Sequence, residues 1–93
     1  MVTVDKEHIR VSGHSGYAER GKDIVCAGVS ALLQSLVQSL EDLTEDTVRS
    51  EIEYGSSIVE FKDLSERGQL LVDSFFIGIC MIADFYPDYV RIE

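Results

Sequence analysis

The stretch Gly13-His14-Ser15-Gly16-Tyr17-Ala18-Glu19-Arg20-Gly21-Lys22-Asp23-Ile24-Val25-Cys26-Ala27-Gly28-Val29-Ser30 is where one periodicity ends and another begins. Upstream, His8 to Gly13 places Ile9 and Val11 at alternate positions, the period-two signature of a strand with one apolar side. Downstream of Asp23 the apolar residues Val25, Val29, Leu32, Leu36, Leu40 and Leu43 recur every three or four positions. That spacing predicts a helix about six turns long. The three glycines Gly13, Gly16 and Gly21 mark a loop between the two. A strand therefore feeds a loop and then a helix whose apolar stripe requires a sheet to lie on.

The rest of the chain supplies that sheet. Val2-Thr3-Val4 pairs with His8 to Gly13 as a hairpin about Asp5-Lys6-Glu7. From Thr47 to Tyr54, Val48, Ser50, Ile52 and Tyr54 alternate with Arg49, Glu51 and Glu53, as in a strand wet on one face. Gly55-Ser56-Ser57 reads as a turn and Ile58 to Lys62 as the returning strand. Ser65 is placed to cap a second helix running to about Asp84, Pro87 ends it, and Tyr89 to Ile92 reads as a last strand. The order ββ-α-ββ-α-β predicts an α+β fold with two helices packed on one face of a mixed, mostly antiparallel sheet.

The second helix is apolar nearly all round, with Leu70, Leu71, Val72, Phe75, Phe76, Ile77, Ile79, Met81, Ile82 and Phe85. One sheet face cannot bury all of these, so the first helix or a second subunit must cover the remainder. Gly78 permits a close approach of a neighbour to this helix.

Ninety-three residues, 45% of them hydrophobic, suit one packed domain spanning 1–93. A net charge of −9 disfavours direct nucleic-acid binding, which rests on clustered Lys and Arg, and suits a basic protein partner. The start Met-Val-Thr-Val-Asp lacks the basic and apolar regions of a signal peptide, and two cysteines far apart are no disulfide framework, so a cytoplasmic protein is expected. The most apolar run, Phe75 to Ala83, is shorter than the roughly 20 residues that span a bilayer, so no membrane role is expected. Two Cys and two His without close-spaced ligand pairs give no metal site, and no cofactor is expected.

Chemistry is concentrated in the opening stretch. Cys26 is the candidate nucleophile: in the first turn of a helix it faces unpaired backbone N–H groups and the positive end of the dipole, which favour a thiolate. His14 is the candidate general base and acid, returned toward Cys26 by a loop whose Gly13, Ser15 and Gly16 make it mobile. Asp23 has two competing roles, capping the helix or orienting His14, of which capping is the better supported by position. Ser30, one turn after Cys26 on the same face, either supports the thiol or bonds back to the helix. Gly28 is assigned to packing against a neighbouring strand, and His8 and Cys80 to incidental positions.

This stretch resembles the ribosomal-processing cysteine protease family of bacteria, whose pattern Gly-His-x-Gly-x-Ala-x-x-Gly-x-Asp-Ile-Val-Cys-Ala-x-Val-Ser is met here at every fixed position. Gly78, Ile82, Ala83, Tyr86, Pro87, Val90 and Ile92 continue the match. The resemblance implies a Cys26–His14 endopeptidase, with Ser30 beside the site, acting as a homodimer. It implies as substrate the short N-terminal extension of large-subunit ribosomal protein twenty-seven, cut after paired phenylalanines during ribosome maturation. A groove with apolar pockets is then expected beside Cys26. Two other readings remain open at this point: a non-catalytic protein that binds a ribosomal protein during assembly, and a thiol hydrolase acting on a small substrate.

Overall fold

The structure, a computed structural model, describes residues 2–12, 24–53 and 56–92. Six elements follow in order: β1 (Val2–Val4), β2 (His8–Ser12), α1 (Ile24–Leu43), β3 (Val48–Glu53), β4 (Ser56–Phe61) and α2 (Glu66–Phe85). The strands form one sheet in the order β1-β2-β4-β3, each neighbouring pair antiparallel. A parallel bridge from Val2 to Ile92 makes the sheet mixed.

Register sorts the side chains into two faces. Val4, Ile9, Val59 and Ser50 are opposite one another across the four strands, as are Val2, Val11, Ser57 and Ile52. On this inner face Val2, Ile9, Val59 and Phe61 are buried beneath Val25, Val29, Leu33, Leu36, Val37 and Leu40 of α1 and Val72, Phe75 and Ile79 of α2. The reverse face carries His8, Glu60 and Arg49 in one row and Arg10, Ile58 and Glu51 in the next, so it stays wet. Both helices therefore cover the same side of the sheet.

Three local expectations are corrected. The stripe of α1 that enters the core includes Leu33 and Val37, whereas Leu32 is half-buried and Leu43 exposed. A helix lying against a sheet and a second helix has two apolar neighbours, and a single stripe cannot describe both. Ser56 and Ser57 belong to β4, because Glu53 pairs with Ser56 and only two residues remain for the connection. Buried Ser57 is tolerated because its hydroxyl donates to the Glu53 carbonyl at 3.2 Å. The last strand contracts to the Ile92 bridge, since the N–H groups of Tyr89 and Val90 both donate to the Tyr86 carbonyl and hold the chain in a turn.

The joints between elements are polar. The Asp5 carboxylate accepts the backbone N–H of Glu7 at 2.8 Å and of His8 at 2.9 Å, closing the β1–β2 turn. Those two bonds hold its carboxyl below the ordinary value of 3.8, with a smaller contribution from the His8 ring. At the opposite joint, Ser65 caps α2 by accepting from the Gly68 N–H at 3.1 Å, and donates its own hydroxyl to Asp46 at 2.8 Å. Asp46 also accepts the Ser65 N–H, and Arg67 donates to the Leu43 carbonyl at 3.1 Å, so the end of α1 is tied to the start of α2.

By length and composition each helix is long and apolar enough to cross a bilayer, although each commits one face to this core. The opposite face of α2 is another matter. Leu70, Ile77, Met81 and Phe85 are between 57% and 77% exposed and fall on the side away from Val72, Phe75 and Ile79. Among the described residues α1 meets α2 on the flank that carries Gly78 and Ile82, and Leu70, Ile77, Met81 and Phe85 face outward.

A side chain at Gly68 would collide with the Asp46 carboxylate and press on Leu64. Gly68→Ala is therefore expected to lower stability in urea by about 1–2 kcal/mol, although alanine is the better helix former.

Candidate active site

Cys26 is the third residue of α1 and is half-buried. The first-turn N–H groups of a helix have no partner within it, so this is the end at which a thiolate or an oxyanion finds donors. Ser30 is half-buried one turn further along. His14, Asp23 and the loop residues Gly13, Ser15 and Gly16 lie outside the described residues.

The end of α1 is positioned by its seam with α2. A Cβ at Gly28 would meet Ile82 Cδ1 at 3.5 Å, and one at Gly78 would meet Leu32 Cδ1 at 3.0 Å. Residues 28 and 82, then 32 and 78, are thus side by side, and the helices run antiparallel. Gly28 packs on α2 rather than on a strand, correcting the expectation from sequence. The start of α1 consequently lies beside the end of α2, where Ile24 and Phe85 are both exposed.

The sheet delivers its own parts to this end. Ser12 of β2 pairs with Ser56 of β4, which pairs with Glu53 of β3, so the end of β2, the end of β3 and the start of β4 are at one edge of the molecule. The connection from Ser12 to Ile24 begins and ends there. Cys26, near the start of α1, and the end of β2 therefore share this edge.

Helical geometry then fixes which way Cys26 faces. At about 100° per residue, Cys26, Ser30, Leu33 and Val37 form one row, and Gly28 and Leu32 form another on the α2 side. The Cys26 row borders the core, with Leu33 and Val37 buried and Cys26 and Ser30 half-buried, on the flank away from α2. That flank overlies β3, beside which α1 packs. Sequence spacing puts Cys26 and Ser30 on one face; that Leu33 and Val37 extend the row into the core, and that α2 packs on another flank, follows from the fold.

Residues 3–91 match the family model described as cysteine protease Prp. The chain is 29% identical over 101 aligned positions to the ribosomal processing cysteine protease Prp of Staphylococcus aureus, covering 99% of this chain and 93% of that protein. It is likewise 29% identical over 91 positions to the protein of the same name from Bacillus subtilis, covering 88% and 80%. A crystal structure of the S. aureus protease in complex with a covalently linked product peptide superposes with a TM-score of 0.89 at 25% identity, over 99% of this chain and 93% of that one.

The two seam glycines should respond differently. Gly28→Ala, which makes only an ordinary contact, is expected to raise stability by about 0.5–1 kcal/mol, and Gly78→Ala, which must displace Leu32, to lower it by about 1 kcal/mol, both read from thermal or urea unfolding.

Proposed function

From the membership of this chain in the Prp family of ribosomal processing cysteine proteases, we propose that it removes the N-terminal extension of large-subunit ribosomal protein twenty-seven, with Cys26 as nucleophile and His14 as general base and acid. The observation that carries the assignment is the position of Cys26 at the third residue of α1, half-buried, on the flank that α2 leaves uncovered.

His14 takes the Sγ proton as the sulfur attacks the scissile carbonyl carbon. The carbonyl oxygen becomes an oxyanion, stabilised by first-turn N–H groups of α1. Collapse of this intermediate breaks the C–N bond, and the imidazolium gives its proton to the departing amine. Water, deprotonated by the same imidazole, then hydrolyses the thioester and restores the thiol. Asp23 immediately precedes α1 and Ser30 follows Cys26 by one turn, positions suited to capping the helix and to supporting the thiol.

The extension is cut from a basic protein, and a chain of net charge −9 attracts such a partner at long range. A cytoplasmic setting goes with this substrate. A second copy of the chain is the partner proposed for the outward stripe of α2: antiparallel pairing about Ile77 sets Leu70 of each copy near Phe85 of the other, a self-complementary arrangement with four exposed apolar side chains per copy.

Incubation with the extended ribosomal protein should release the extension, detected by mass, with Cys26→Ala and His14→Ala lowering kcat by about 10³-fold or more and Asp23→Asn by less. Iodoacetamide should label Cys26 ahead of Cys80. Equal cleavage by wild type and Cys26→Ala would remove the assignment. Separately, Met81→Glu is expected to convert a dimer to a monomer in sedimentation, and an unchanged sedimentation coefficient would place the interface elsewhere.

A further inference from the structure

We infer that the substrate segment binds as an added strand on the open edge of β3, beneath the Cys26–Ser30 flank of α1, an inference that rests on the protease reading above. Among the described residues the two sheet edges are not equivalent. The β1 edge is closed at Val2, which bridges to Ile92 and donates its N–H to the Arg91 carbonyl at 2.7 Å. The β3 edge has no neighbouring strand along Val48–Glu53. Alternate N–H and C=O groups of such a strand point outward and are available to an extended peptide.

The floor above this edge is unfinished. Ser50 is opposite fully buried Val59 and shares the inner face with it, yet Ser50 is exposed, and its face neighbours Val48 and Ile52 are only half-buried. The α1 helix packs beside β3, yet Ser50 in the middle of that strand stays exposed. An added strand would place alternate side chains over Val48 and Ile52 and against the flank of α1, completing the apolar layer. Large apolar residues such as phenylalanine suit that space.

The lengths also agree. Six residues of β3 extend roughly 17 Å, and the α1 row from Cys26 to Val37 rises roughly 16 Å. The two run in opposite directions, so Cys26 lies toward the Glu53 end and Val37 toward the Val48 end. A peptide held along β3 is thereby aimed with one end at the thiol. Extended backbone pairing also explains how a small protein selects an unfolded segment over a folded loop, because only an extended chain presents ladder groups over this distance.

The test uses a synthetic peptide carrying the extension and the cleavage junction. With wild-type enzyme the peptide should be cut. With Cys26→Ala, which holds it uncut, hydrogen exchange of the outward N–H groups of residues 48–53 should slow by roughly tenfold or more, while those of β1 are unaffected. Ser50→Arg, a substitution at an exposed position that fills the groove, should raise KM by roughly tenfold with kcat little changed. Its rate of Cys26 alkylation by iodoacetamide should match wild type, which separates a blocked groove from a damaged site. Cleavage by wild type without protection of 48–53, or an unaltered KM for Ser50→Arg, overturns strand addition and leaves the protease reading standing. Failure of wild type to cut the peptide overturns the protease reading, and strand addition with it.

Discussion

The antiparallel seam between the two helices determines where everything else lies. Leu32 rests on Gly78 and Ile82 rests near Gly28, contacts that a larger residue at position 78 would force apart. With that register set, the start of α1 must lie beside the end of α2, and the Asp46–Ser65 bonds hold the other ends together. The chain leaves β2 at Ser12 and enters α1 at Ile24, both at the thiol-bearing edge.

A second consequence concerns burial. Two helices side by side cover the middle of a four-stranded sheet well and its margins poorly. Here α1 packs beside β3, and yet Ser50 is exposed on what is otherwise the core face. Cys26 sits at this margin, half-buried, close enough to the core to be held and close enough to solvent to be reached. The outer face of α2 is also left apolar, so the described residues present two uncovered surfaces, one along the Cys26 row of α1 and one on the outer side of α2.

Much of this was legible in the residues. The alternation of Ile9 with Val11 and of Val48 with Ile52 predicted strands that the register confirms. The helix beginning after Asp23 starts at Ile24, and Ser65 caps α2 through its hydroxyl. The errors cluster where one side chain has to choose between neighbours. Leu32 and Leu33 are equally apolar and adjacent in sequence, but one packs on α2 and the other enters the core. Ser56 and Ser57 look like turn residues until pairing with Glu53 and Ile52 draws them into the strand.

Sequence alone determined the kinds of element, their order, and the placing of a cysteine at a helix opening with a histidine just upstream, because periodicity, glycine spacing and capping are local properties written in neighbouring residues. Tertiary structure decided which flank of α1 carries the thiol, which sheet edge stays open beside it, and which side of α2 is left to the solvent. Those depend on how two helices divide one sheet, a packing contest among residues distant in the chain that no local pattern records.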